Sequence, residues 1–287
     1  MTIRELFEAC FDHHWNTERY TKSGWAKEVR GYYTRHIEGP LGDRLATELG
    51  PKAVRAWHRA IDQRTSANRS LEVLSRLYTY AEEEELIPLG LNPCRHVKAN
   101  TEKKRLRFAT EEELRKIGEQ LEAERAVYPL KVAFCELLAL TGARPSSIQR
   151  ARRSDIVTHG DIGLLRLDGK GTALTGDEDT VVLPAQALKI VQELPLRADG
   201  LLIGPIDYKR FWEDVTRNAG VSGLWLRDFR RSAATVGLSA GIPIGIIGEL
   251  LNHRSSQTTQ RYAKLLPLAR VAAANSIADK MGKLLRA

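Results

Sequence analysis

The sequence predicts a mainly α-helical protein with one small antiparallel sheet, divided into two domains, and three observations carry that prediction. Apolar residues recur at helical spacing along most of the 287-residue chain. Only residues 164–167 and 180–183 read as strands, and a Gly-rich loop joins them, which is the pattern of a hairpin interrupting a helical domain. A basic stretch poor in apolar side chains, RHVKANTEKKRLR at residues 95–107, separates two helical regions as an interdomain linker does. The division is therefore a helical domain over 1–95, a basic linker over 96–107 and a mainly helical domain with the sheet over 108–287.

In the first domain, Ile3, Leu6, Phe7 and Cys10 give residues 2–14 a helical stripe, and Ser23 opens a second segment through Trp25, Val29 and Tyr33. Gly50-Pro51 starts a third helix, with proline in the first turn where its missing N–H costs no bond, and Val54, Trp57 and Ile61 form its stripe. A fourth starts at Ser66 or Ser70, runs through Leu71, Val73, Leu74, Leu77 and Tyr80 into the acidic run 82–85, and stops before Pro88. Four such helices make a bundle. In the second domain Thr110 and Glu113 form a capping box. Residues 129–140, with Val132, Phe134, Leu137 and Leu138, make a buried helix that stops at Thr141-Gly142. After the hairpin come helices near 185–193, 207–218, 227–240 and 243–251, with Gly241 as a stop and Pro243 as a start.

Composition narrows the function classes. At 43% hydrophobic and 28% charged, the chain can bury real cores and is neither collagenous nor disordered. No apolar run approaches the roughly 18 to 20 residues of a spanning helix. The first residues, MTIRELFEACFDHH, are charged where the apolar part of a signal peptide would lie, so the expected location is the cytoplasm, with no membrane partner. Cys10, Cys94 and Cys135 are odd in number and far apart, which indicates neither a disulfide framework nor a zinc knuckle. There are 44 basic against 36 acidic residues, a net charge of +8, and the excess concentrates in residues 95–107 and beyond Asn252, as suits a polyanionic partner.

Several chemistries lack their residues. A phosphate-binding P-loop needs four residues between its glycines and Ser or Thr after the lysine, whereas five separate Gly163 from Gly169 and Gly171 follows Lys170. HExxH and GxSxG are absent, and the histidines form no ligand cluster. The remaining candidates are cations held by chain features. Arg144 follows the apolar helix directly in TGARP, so the turn holds it at the edge of a core. Arg227 and Arg230 lie three residues apart in LRDFRRSAAT, sharing a helical face while Phe229 and Ala233 point inward. His253 ends an apolar helix, and Tyr262 stands nine residues later in TTQRY between Arg261 and Lys264.

In that order, a turn arginine, a hairpin lysine, an arginine pair opening a helix, then LNH and TTQRY, these motifs resemble the tyrosine recombinase, or phage integrase, family, and the match covers most of the chain. TGARP is similar to the family's first arginine motif, RDFRRSAAT to its HxxR box, and LNHRSSQTTQRY to the segment joining its second histidine to its nucleophile. Residues 1–95 resemble its helical core-DNA-binding domain, and 108–287 its catalytic domain with a C-terminal tail. The resemblance implies Tyr262 as nucleophile, Arg144 and Arg230 as phosphate clamp, Lys170 as general acid and His253 as proton-transfer or hydrogen-bonding partner. Two positions depart from the pattern. Arg227 stands where histidine is usual, which keeps a hydrogen-bond donor to phosphate but loses a base. Ser147 stands where an acid is usual.

The implied activity is site-specific recombination: cutting and rejoining DNA through a 3′-phosphotyrosyl intermediate, without ATP, metal or other cofactor. The implied partners are double-stranded DNA, a homotetramer on two DNA sites and a possible accessory directionality factor, with the protein associated with the nucleoid. Leu265, Leu266, Leu268, Val271 and Ile277 give the tail an apolar face suited to docking on a neighbouring protomer. The region that begins the chain suggests the short, two-domain form, a simple phage or mobile-element integrase more than a Xer-like resolvase. Two rivals stay open: a non-catalytic helix-turn-helix DNA-binding protein built on residues 233–262, and a type IB topoisomerase-like strand-passing enzyme.

Overall fold

The computed structural model describes residues 1–17, 20, 24–102, 105–167, 179–252 and 281. Ser23, Lys170 with its Gly-rich loop, His253, Tyr262 and the apolar tail positions from 265 to 277 lie outside the described residues. The chain forms two compact units, Met1–Lys104 and Arg105–Ala287, each with a hydrophobic core of its own.

The first unit is helical. Helix α1 (Ile3–Cys10) opens on a reciprocal cap in which the Thr2 hydroxyl accepts from the Glu5 N–H and the Glu5 carboxylate accepts from the Thr2 N–H. Its buried stripe is Ile3, Leu6, Phe7 and Cys10, and a π-helical turn, Phe11–Trp15, continues it. Helix α2 (Trp25–Tyr32) runs through a second π-helical turn, Tyr33–Ile37, into the short α3 (Glu38–Leu41). The Phe7 and Tyr33 rings stack with centroids 3.6 Å apart, joining α1 to that segment. Helix α4 (Pro51–Ala60) begins at its proline, and α5 (Arg64–Glu83) buries Leu71, Leu74, Leu77, Tyr78 and Ala81 along the core. The expected start of α5 at Ser66 or Ser70 is corrected to Arg64. Ser66 does not cap there, because its hydroxyl bonds to the Gln63 side chain at 3.1 Å within the first turn.

Two buried polar side chains hold the segment that leaves this unit. The Glu82 carboxylate accepts from the Gly90 and Asn92 N–H groups at 3.1 and 3.0 Å and from Arg95 at 2.5 Å. Asn68 accepts from the Asn100 N–H at 2.7 Å, donates to the Asn100 carbonyl at 2.9 Å and to Glu102 at 2.7 Å, and meets His58 at 3.2 Å. All three cysteines are buried and free, and burial pushes each thiol up to about 12.

The second unit begins with α6 (Glu111–Glu124), capped by Thr110 and Glu113 as the sequence predicts. Arg107 beside Glu113 holds that carboxyl below the usual range. Helix α7 (Pro129–Thr141) buries Val132, Phe134, Leu137 and Leu138 and stops at Gly142, whose φ of 62° is the left-handed conformation that ends helices. A six-residue helix, α8 (Pro145–Arg150), follows at once. The sheet is a three-stranded antiparallel meander of β1 (Ile156–His159), β2 (Ile162–Leu167) and β3 (Asp179–Leu183), with Leu165 opposite both Ile156 and Val181. The hairpin of β2 and β3 is the expected one. Strand β1 and helix α8 are additions: four and six residues are too few to show a period, and the one local signal for β1 is Gly160, which turns the chain at a φ of 62°.

Helices α9 (Ala185–Glu193), α10 (Lys209–Asn218), α11 (Phe229–Ser239) and α12 (Ile244–Leu250) complete the unit. Its core gathers Phe134, Leu138, Leu165, Leu183, Leu188, Ile203 and Phe229. Gly241, at a φ of 80°, separates α11 from α12 as expected. Among the described residues no helix is long and apolar enough to cross a membrane.

Candidate active site

The site grows from the end of α7. Gly142 turns the chain so closely against α11 and the end of α12 that a Cβ there would lie 2.7 Å from the Leu251 side chain and 3.3 Å from the Ala233 Cβ. Arg144, two residues on, is the N-cap of α8 and is exposed, while Ala143 and Ile148 beside it are buried. The second arginine segment starts with a 3-10 turn, Leu226–Asp228, which presents Arg227 to solvent and leads into α11. Arg230, in the first turn of α11, reaches back across the Gly142 turn. It donates to the Gly142 carbonyl at 3.0 Å and to the Leu251 carbonyl. Two carbonyl partners hold the guanidinium in a fixed plane.

Arg144, Arg227, Arg230 and Arg231 all line one cleft of about 1160 Å³, whose other walls include Tyr208, Lys209, Trp212 and Trp225. Trp212 is fixed by its indole N–H on the Leu224 carbonyl at 2.8 Å and by an edge-on contact with Phe229, ring centroids 5.3 Å apart. Three of the residues singled out from sequence, Arg144, Arg227 and Arg230, thus converge. The other three, Lys170, His253 and Tyr262, lie outside the described residues, but the two residues before His253 and the strand that follows the Lys170 loop are tied to this site. Leu251 receives Arg230, and Asn252, left-handed at a φ of 49°, donates its side-chain amide to the Thr180 carbonyl at the start of β3.

Two details differ from the sequence reading. Arg227 and Arg230 do not share one helix, since the 3-10 turn ends between them; the cleft unites them instead. Ala234 rather than Ala233 enters the core, with Ala233 half-buried against Gly142. Sequence reasoning also missed Asp228, whose carboxylate is 0% exposed and accepts from Arg105 at 2.7 Å, from Arg231, and from the Trp225 N–H at 2.9 Å. An acid inside a basic, helix-opening box was the available signal. The basic run at 95–107 changes character too: Arg95, Arg105 and Arg107 pair with Glu82, Asp228 and Glu113. Among the described residues no group of three or more His, Cys, Asp or Glu side chains is placed to hold a metal ion.

Gly142→Ala tests how strongly the turn holds the site together. A left-handed non-glycine residue and the contact with Leu251 together lower stability by about 1 to 3 kcal/mol, read as a fall in the thermal midpoint. Gly118→Ala, in mid-helix α6 with nothing within 4 Å of the added Cβ, leaves it equal or higher.

The model of the phage integrase family matches residues 107–267, a span that contains Arg144, Lys170, Arg227, Arg230, His253 and Tyr262. The chain belongs to the phage integrase family of tyrosine recombinases. The recombinase is 30% identical over 218 residues to tyrosine recombinase XerD of Mycobacterium leprae (strain TN), covering 69% of this chain and 68% of that one. It is 25% identical over 279 residues to tyrosine recombinase XerC of Pelobacter propionicus (strain DSM 2379 / NBRC 103807 / OttBd1), covering 88% of each. Its fold matches a lambda integrase tetramer bound to a Holliday junction with a TM-score of 0.73 at 16% identity, over 91% of this chain and 77% of that one. The recombinase is accordingly a site-specific DNA breaking and rejoining enzyme, with the mainly helical fold and small antiparallel sheet of the family.

Proposed function

We propose that this recombinase exchanges strands of double-stranded DNA by transesterification at Tyr262, with Arg144, Arg227 and Arg230 holding the scissile phosphate. The observation that carries the assignment is the convergence of three arginines from two separate segments on one cleft, at the place where Leu251 and Asn252 lead into His253. The Tyr262 phenol oxygen attacks phosphorus, forming a 3′-phosphotyrosyl ester and breaking the bond to the 5′-oxygen. Negative charge grows on the nonbridging oxygens, and guanidinium forks stabilise it in fixed geometry without a metal ion. The phenol, with an ordinary pKa near 10, gives its proton up to His253 or to solvent under the influence of these cations. Lys170 protonates the leaving 5′-oxygen. One phosphoester replaces another, so a second 5′-hydroxyl reverses the step on a new strand and no ATP is consumed.

The proposed assembly is a homotetramer on two DNA sites, supported by the matching fold of the lambda integrase tetramer on a Holliday junction. Residues 1–95 form the core-DNA-binding domain, 96–107 the linker and 108–287 the catalytic domain with its tail. An accessory directionality factor and a cytoplasmic, nucleoid-associated location belong to the same reading. A purely DNA-reading role for the α11–α12 pair is disfavoured by its chemistry: α12 carries Glu249 as its sole polar side chain, its own Ile246 and Leu250 are exposed, and so are Val236 of α11 and Ile242 between the two helices. Base edges are read by hydrogen-bonding side chains.

The test works whatever the target sequence is. The full chain is incubated with a random-sequence duplex library carrying single nicks, and DNA that stays attached after denaturation is sequenced. Recovery of a common sequence, with the attachment mapped to the Tyr262 peptide, supports the reading. Salt-sensitive binding without any attached DNA refutes it.

A further inference from the structure

Asp228 stands one residue after Arg227 and two before Arg230, where the 3-10 turn meets α11. Its carboxylate is fully buried, a placement that is costly for a charge lacking close, well-oriented partners. Arg231 supplies one partner from the cleft side. The other comes from Arg105, 123 residues away in sequence, whose fork meets the carboxylate at 2.7 and 3.2 Å. Arg105 is itself held: its guanidinium lies 4.0 Å from the Trp225 ring centroid and donates to the Gly223 carbonyl. The neighbouring chain is stitched to the same turn, since the Ala109 N–H donates to the Ser232 hydroxyl at 2.9 Å and that hydroxyl donates to the Asp228 carbonyl at 3.1 Å.

We propose that Arg105 and Asp228 are a positioning pair: Arg105 completes the charge of the buried carboxylate, and that fixes the turn from which Arg227 and Arg230 meet the phosphate. The inference rests on the assignment of those arginines to the scissile phosphate. Arg105 lies in the basic run that the sequence marks as DNA-facing, yet its fork points at a buried acid of its own unit, so its effect falls on the chemical step and not on DNA affinity. Without it, the Asp228 carboxylate keeps the Trp225 N–H and, of its two cationic partners, Arg231. The turn then shifts toward Arg231, and one positive charge leaves the cleft wall.

The experiment compares full-length wild type, Arg105→Gln, Arg105→Lys, Asp228→Asn and the Arg105→Gln/Asp228→Asn double variant. It measures DNA affinity, single-turnover cleavage at saturating nicked site DNA and thermal midpoint, with Arg115→Gln on the exposed Arg115–Glu119 pair as the control for loss of one surface charge. If wild type forms no covalent adduct, the functional assignment has failed before any variant is compared. Given that adduct, Arg105→Gln lowers the cleavage rate about 10- to 100-fold with affinity unchanged, and Arg105→Lys recovers most of it. The double variant is no slower than Arg105→Gln, because removing both partners leaves no unpaired buried charge. The proposal is overturned if Arg105→Gln weakens binding while saturated cleavage stays at the wild-type rate, if the rate falls only in proportion to the folded fraction, or if lysine and glutamine are equally slow. The lysine and glutamine comparison decides the matter even where Asp228→Asn does not fold.

Discussion

Tyr262→Phe protein binds its site DNA with wild-type affinity and salt dependence and forms no covalent adduct, a loss of the order of 10⁴-fold or more in cleavage. The substitution removes one oxygen atom. A benzene ring has no lone pair to place on phosphorus, and the cations of the cleft, however well aimed, stabilise charge only after a nucleophile has added. Affinity is preserved because it comes from phosphate contacts with Lys and Arg and from the counterions they release, to which an uncharged phenol contributes little. The measurement is a denaturing gel of protein with labelled nicked DNA, run beside a binding titration. A persistent adduct would place the nucleophile elsewhere and remove Tyr262 from the mechanism.

Arg230→Gln lowers single-turnover cleavage by about 10² to 10³-fold, the usual result of removing one preorganised donor from a site where negative charge develops. Two losses combine. The phosphate loses a fixed guanidinium, and the Gly142 and Leu251 carbonyls lose the partner that ties the end of α7 to the end of α12. Arg230→Lys separates them, because a single ammonium keeps the charge but cannot span both carbonyls as a fork does. It cleaves faster than the glutamine variant and slower than wild type. Rates at saturating DNA, measured alongside thermal midpoints, distinguish the loss at the phosphate from loosening of the turn. Equal rates in all three proteins would exclude Arg230 from the clamp.

The parts of the fold that were legible are those written in local chemistry. The cap at Thr110, the apolar run ending at Gly142, the proline starts of α4 and α12 and the Val-rich β3 each depend on residues within a turn or two of one another. Strand β1 and helix α8 were not legible, because their few residues gain their structure from β2 and from the flank of α7. The start of α5 was misread for a similar reason: two serines are available as caps, and the side chain of Gln63 takes one of them.

In the site, the amino-acid sequence by itself singled out the three arginines that line the cleft, since TGARP and RDFRR carry them at recognisable punctuation in the chain. Tertiary structure decided which positive charges are paired with an acid. Arg95, Arg105 and Arg107 look alike in a basic run, yet each is turned onto a carboxylate, Arg105 onto one 123 residues away. The physical reason is that helix caps and apolar periods are set by neighbours along the chain, whereas the pairing of a buried charge is set by whatever the folded backbone brings within about 3 Å of it.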